Sequence, residues 1–294
     1  MDECIEQIAI KQSLNYKSDY STTYYANKIK INIVDNKIVT SYTEANDIYT
    51  CRVKASLEFI EDVLNSYNKP ITLSITICLD DKTHEEGIMV ASGCLDNQVL
   101  IPDFYAMLDK TPTNVDDSLK NDKAIFIGVS TGSYDPKYNE RLKICDKYKS
   151  NENVHCYINN ICQMTHSSVA SIYPDYITFC KPRMSHSEQL AYKYIISIDG
   201  NTCAWNRPVW VLKSKSILLM HSSKHKCWYY DHLLPNVHYV PFDYDTDIEE
   251  LIKCPDESII KNANQFANDF LTYDKHKLYM GHLLYHCSLR TNEL

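Results

Sequence analysis

Apolar positions in this chain recur at two periods. Lys28 to Tyr42 alternates as KIKINIV and KIVTSY around Asp35-Asn36, which predicts a β-hairpin. Arg52 to Tyr67 switches to helical spacing, with Val53, Leu57, Ile60 and Leu64 on one face and Lys69-Pro70 as its stop. Ile71 to Cys78 is a β-rich run that enters Leu79-Asp80-Asp81, and shorter strands are predicted at Ile88–Ala91 and Val99–Ile101. From Ala124 onward the pattern is strand, turn, helix, strand. Strands are predicted at Ala124–Ile127, Val154–Ile158, Tyr194–Ile198 and Ile217–Met220. Helices are predicted at Asn139–Tyr148, Ser185–Tyr192 and Ala204–Leu212. Ser185-x-x-Glu188 has the form of a capping box, and Pro208 falls in a first helical turn. Asp247–Cys254, Ser258–Leu271 and Lys275–Leu289 read as closing helices, the second with Ile259, Ala263, Phe266 and Phe270 on one face.

Strands alternating with helices on both sides of a polar stretch, Thr111 to Asp122, predict an α/β chain of two Rossmann-like lobes. The boundary is drawn as 1–115 and 116–271, with helices 272–294 as candidates to return to the first lobe.

At 294 residues and 44% hydrophobic content the chain is long and apolar enough for two cores. Its net charge of −8 argues against nonspecific nucleic-acid binding, which needs a basic surface. The opening MDECIEQIAIKQ is not a secretory signal, and no stretch has the length of a membrane span. The expectation is therefore a cytoplasmic protein whose 12 cysteines are reduced thiols. His221, His225 and Cys227, and the pair His282 and His286, have metal-like spacing. Neither group completes a four-ligand set, so no metal is expected, and a metal-binding regulatory protein is the weakest functional class.

The chemistry concentrates in Tyr192 to Pro241. A polar turn, Asp199-Gly200-Asn201-Thr202, joins a strand to a helix that carries Arg207 in its first turn. Open α/β sheets bind anions at such a turn, because free N–H groups and the helix dipole point outward there. A second polar turn, Gly128 to Gly132, offers Ser130 and Thr131 to a phosphate or ribose, or serves as an ordinary connecting loop.

YKYIISIDGNT, WNRPVWVL, the Ser216 strand and LLPNVHYVP stand in the order and spacing of glycosyltransferase family 90, the capsule-associated protein family. KAIFIGVSTG with NERLKIC, and LDD followed by VLIPDFY, extend the resemblance over roughly residues 70 to 270. The resemblance implies a GT-B fold with a cleft between its lobes, a UDP-sugar donor carrying glucose or xylose, inversion at the anomeric carbon and no cofactor or metal. It implies Asp80 as catalytic base, with Asp81 as runner-up. Donor contacts would come from Arg207, Gly200, Asn201, Gly128, Ser130, Thr131, Arg141, His238 and Tyr239, and acceptor-side contacts from Asp103 and Phe104. The acceptor would be a hydroxyl of a glycan or protein. Family members often carry arginine where this chain has Ile127. That departure supports the alternative, a nucleotide-sugar-binding or scaffold protein that has lost turnover.

Overall fold

The computed structural model describes residues 1–17, 27–81, 87–94, 97–109, 120–254 and 256–292. Most of the predicted linker, Thr111 to Asp122, lies outside the described residues. The fold is mixed α/β, in two compact units. One comprises Met1–Pro112, His225–Asp231 and Asp269–Leu294; the other comprises Thr113–Lys224 and His232–Asn268.

The first unit opens with helix α1 (Asp2–Ser13), followed by strands β1 (Lys28–Val34) and β2 (Lys37–Glu44), helix α2 (Thr50–Ser66) and strands β3 (Leu73–Cys78), β4 (Met89–Val90) and β5 (Val99–Leu100). The sheet order is β2-β1-β3-β4-β5. The predicted hairpin is present, and Asp35 and Asn36 both take positive φ (47° and 59°), as a tight two-residue turn between twisted strands requires. β1 is antiparallel to β2 and β3, whereas β3, β4 and β5 run parallel. This mixed sheet departs from the strand–helix alternation expected of the first half. The local hairpin supplies antiparallel pairing without a crossover helix.

α2 forms where its period predicts, but its buried stripe is Ala55, Ser56, Phe59, Ile60, Val63 and Leu64. Val53 and Leu57 lie on its flank, because rotating the helix buries the Phe59 ring, the largest apolar group in the segment. The sequence reading overlooked α1, which buries Ile5, Ile8 and Ala9.

The second unit contains β6 (Asn121–Val129), α3 (Glu140–Lys147), β7 (Val154–Asn160), α4 (His166–Ile172), α5 (His186–Gln189), β8 (Tyr192–Ser197), α6 (Arg207–Leu212), β9 (Ile217–His221), β10 (Val240–Phe242) and α7 (Ile248–Leu251). α8 (Ser258–Phe270) leads out of this unit, and α9 (Tyr273–Asn292) belongs to the first. Ser185 and Glu188 make the reciprocal capping box, yet α5 lasts a single turn and Tyr192 starts β8 instead of ending a helix. α6 begins at Arg207, three residues later than predicted, because Trp205 takes φ +51° and breaks the helical path. All four residues named for the inner face of α8 are buried.

The five strands of the second unit are all parallel, in the order β7-β6-β8-β9-β10. β6 is followed in sequence by its neighbour on one side, and the chain then crosses to β8 on the other. The connections therefore diverge at the carboxyl ends of β6 and β8, which is the topological switch point where open α/β sheets bind ligands. The core below it includes Phe126, Ile158, Tyr194, Ile196 and Leu219.

Candidate functional site

Two arginines meet at this switch point. Arg141 projects from the first turn of α3, whose N-cap, Asn139, accepts from the Leu142 N–H and donates to the carbonyls of Ser130 (2.9 Å) and Ser133 (3.2 Å). Asn139 thus shapes the whole β6–α3 loop, a role the sequence reading did not assign. The Arg141 guanidinium donates to the carbonyls of Val129 (2.9 Å), Ile198 (2.9 Å) and Asp199 (3.0 Å) and to the Thr131 hydroxyl (2.8 Å). Arg207 donates to the carbonyls of Ile196 (3.2 Å) and Ile127 (2.6 Å). Both guanidiniums lie over the Phe126 ring, at 5.8 and 5.3 Å from its centroid. Strand ends that splay apart leave carbonyls without ladder partners, and these two side chains satisfy them.

Burial pulls Arg141 down to about 10 and Arg207 to about 9, the latter helped by the neighbouring Arg141 charge. Both values stand above neutrality, so both side chains stay charged. Carbonyls are neutral partners and leave the positive charge in place. Arg207 uses two of its five N–H donors on the described residues. The carboxylate alongside is Asp199, pushed up to about 6 chiefly by burial, against the opposing effects of the Ser223 hydroxyl bond and the Arg141 charge.

The other predicted donor residues fall into two sets. Gly200, Asn201, Gly128 and Thr131 converge here, beside Gly132 of the same turn. The Gly132 N–H donates to Asn201 Oδ1 (3.2 Å), and a Cβ on Gly200 would stand 2.5 Å from Thr131 Oγ1 and 3.0 Å from an Arg141 nitrogen. Only glycine lets the two loops approach this closely. Ser130 belongs to the scaffold: fully buried, it donates to the Cys162 carbonyl (3.0 Å) and accepts from the Cys162 N–H (2.8 Å). His238 closes its own turn, accepting from the Leu234 N–H (2.9 Å) with its ring 4.8 Å from that of Phe266. Burial lowers the His238 imidazole and raises the adjacent Tyr239 phenol. A cavity of about 650 Å³ opens at the opposite, amino-terminal edge of the same sheet, where Lys193 pairs with Glu257 and Asp122; none of the predicted site residues lines it.

In the first unit, Asp80 and Asp81 diverge at the end of β3. Asp81 is paired with Arg52 (2.8 Å), which also donates to the Leu79 carbonyl. Asp80 accepts from Tyr49 Oη (2.7 Å) and Asn27 Nδ2 (2.9 Å), both on Oδ1. Burial, and then the bond to Asp80, push the Tyr49 phenol up to about 12, so it remains a donor. Arg52 lies 5.2 Å from the Tyr49 ring and 5.3 Å from the ring of the predicted acceptor-side residue Phe104. Its neighbour Asp103 is buried, and its Oδ1 accepts from the N–H groups of Tyr105 (2.9 Å) and Ala106 (3.0 Å).

The second unit is therefore an open parallel α/β sheet whose switch point carries surplus positive charge, the class of site that takes anionic, phosphate-bearing ligands. The profile of glycosyl transferase family 90 matches residues 121–291. With more than half of its length matched, the chain belongs to that family. It is 39% identical over 95 residues to O-glucosyltransferase LpsA of Dichelobacter nodosus, covering 30% of each chain. It is 37% identical over 100 residues to Protein O-glucosyltransferase 2 of Danio rerio, covering 30% of this chain and 20% of the relative. A match to Uncharacterized protein 035R of Invertebrate iridescent virus 3 is 29% identical over 182 residues, 55% of this chain and 16% of the relative. The matched stretches span less than a third of these relatives' length. No helix among the described residues is long and apolar enough to cross a membrane, and none of the twelve cysteines is in a disulfide.

Proposed function

We propose that this chain transfers a sugar from a UDP-sugar donor to a hydroxyl of a glycan or protein, with inversion and without a metal at the diphosphate. The second unit holds the donor and the first supplies the base, as the two lobes of a GT-B enzyme. One observation carries this reading: two guanidiniums stand at the sheet's switch point held by neutral carbonyls, and Arg207 keeps donors in reserve. A departing diphosphate needs its charge met, and buried guanidiniums meet it without a cation. Glucose is the first candidate sugar, from the names of two relatives, and xylose the second.

In the transfer, an Asp80 carboxylate oxygen takes the proton of the acceptor hydroxyl. The acceptor oxygen forms a bond to the anomeric carbon from the face opposite the diphosphate. The bond from that carbon to the diphosphate oxygen breaks, and its electron pair leaves with UDP, toward Arg207 and the loop N–H groups. Asp80 suits the role better than Asp81, because Asp81 is neutralised by Arg52 while Asp80 is held by neutral donors on one oxygen. Ile127, a departure from the family resemblance, in which arginine often stands there, supports the second reading, donor binding without turnover.

UDP release from UDP-glucose and UDP-xylose separates the two readings. Turnover in the wild type, lost in Asp80→Asn with UDP affinity retained, is the expected result. Full turnover in Asp80→Asn removes Asp80 from the mechanism, and UDP binding without any release favours the second reading.

A further inference from the structure

His282 and His286 gain in the fold a third donor that their spacing does not reveal. α1 packs along α9 and sets Glu6 against the face that carries both histidines. Glu6 Oε1 stands 3.4 Å from His282 Nδ1 and 3.4 Å from His286 Nε2. The three donor atoms lie within 4.8 Å of one another. Nitrogen and oxygen ligands held about 2.0–2.1 Å from a tetrahedral zinc are separated by about 3.4 Å along each edge. Two edges of this triangle therefore already have tetrahedral length, before any side chain moves. The side chains are 31%, 11% and 19% exposed for Glu6, His282 and His286, which is shielded yet open to an entering ion.

The surroundings hold this face in position. Gly281 leaves room for the Tyr67 ring, since a Cβ there would stand 2.4 Å from Tyr67 Cδ2. Tyr67 Oη lies 3.0 Å from His282 Nδ1, and the rings of the two residues meet edge to face. This is the same nitrogen that faces Glu6, so the hydroxyl shares it and turns aside when an ion binds there. One cation already competes for the carboxylate: Lys69 Nζ is 3.6 Å from Glu6 Oε1, and it also lies 4.7 Å from the centroid of the Tyr285 ring. Lys69 meets the carboxylate alone, whereas a divalent ion would engage the carboxylate and both imidazoles.

We propose that Glu6, His282 and His286 form a site for one zinc ion, with a fourth position left to water, which clamps the chain's first helix to its last. Two histidines and a carboxylate suit zinc and its first-row neighbours better than calcium or magnesium, which take oxygen ligands. The clamp joins positions that are 280 residues apart in sequence, so its effect falls on folding. The site is independent of the sugar-transfer reading, because its ligands are none of the donor or base residues.

The test uses the full chain stripped with EDTA and titrated with zinc chloride by calorimetry and by thermal melting, with cobalt(II) as a spectroscopic probe. The expected result is one equivalent bound, a raised melting temperature, and tetrahedral d–d bands without thiolate-to-cobalt charge transfer; the last feature excludes the cysteines. Glu6→Gln and His286→Gln should each weaken binding by more than about 100-fold, since losing even an outer partner costs about 10–100-fold. Lys69→Met keeps every ligand and removes the competing cation, so it should tighten zinc binding. That gain keeps the proposal testable should the ligand variants fold poorly. No zinc-dependent melting shift in the wild type overturns the proposal, as does zinc affinity unchanged in Glu6→Gln and His286→Gln. Weakened or unchanged zinc binding in Lys69→Met overturns it as well, leaving a carboxylate–lysine–imidazole network alone.

Discussion

Arg52 in the first unit and Arg207 in the second are both tied to backbone carbonyls at a strand end, but their remaining partners differ. Arg52 also takes the Asp81 carboxylate, so its charge is cancelled on the spot and it serves to orient the neighbours of Asp80. Arg207 and Arg141 take carbonyls and a hydroxyl, so their charge survives. Geometrically similar hydrogen bonds thus leave opposite electrostatics. A guanidinium held by neutral oxygens remains available to an anion, whereas one held by a carboxylate does not. The same contrast separates the two aspartates: among the described residues, Asp81 has a cation and Asp80 accepts from two neutral donors.

The largest effect that would sharpen this comparison belongs to Asp80→Asn. Transfer should fall by about 10²–10⁴-fold, the usual contribution of a positioned general base, with UDP affinity unchanged. Asp199→Asn removes the carboxylate beside the second unit's arginines. Its carboxyl is raised from 3.8 to about 6, so between these values the folded chain holds a proton that the unfolded chain has released. Stability from this group therefore falls as pH rises from about 4 to about 6, and stays lower above that window. A shift of this size sets a ceiling of about 3 kcal/mol, with the Ser223 bond and the Arg141 charge already contained in it, and partial exposure of Asp199 lowers it to about 2 kcal/mol. Chemical denaturation should show Asp199→Asn about 2 kcal/mol more stable at pH 7 and without the decline this group contributes between about pH 4 and 6, and UDP binding should tighten. Equal stability of the two proteins at pH 7 would contradict the burial account.

Arg52→Met tests the other side. It should cost about 1 kcal/mol of stability, a modest figure because the pair is partly exposed, and leave UDP affinity unaltered. A fall in UDP affinity would break the distinction drawn between the two arginines. Ser185→Ala removes a capping box whose bonds lie within its own turn and should cost about 1 kcal/mol by denaturation, with transfer unaffected.

The sequence made legible those features that depend on a few adjacent residues. Asp35-Asn36 announces a turn because both residues tolerate positive φ. Asn139, and Ser185 with Glu188, announce helix starts because their side chains reach the first free N–H groups. The parallel run from β6 to β10 and the Arg207 turn follow from local period and punctuation. What stayed hidden depends on pairing across the fold. Period alone could not decide which face of α2 turns inward, because Phe59 competes with Val53 and Leu57 for the core. Nor could it reveal that Arg141 and Arg207 point at carbonyls of β6 and β8, since those partners lie 11 to 80 positions away. Glu6 was invisible as a companion of His282 and His286 for the same reason. Ser130 and His238 have residue types that suit a ligand, yet backbone groups claim them first, those of distant Cys162 for Ser130 and of nearby Leu234 for His238.

The central claim is that Arg207, held by carbonyls, keeps its charge for a diphosphate. Calorimetric titration of UDP into the wild type and Arg207→Ala, with uridine alongside, tests it most directly. The account predicts a loss of about 1.5–3 kcal/mol in UDP binding, the worth of a hydrogen bond to a charged group, and no change for uridine. UDP affinity equal in the two proteins, or an equal loss for uridine, would contradict it.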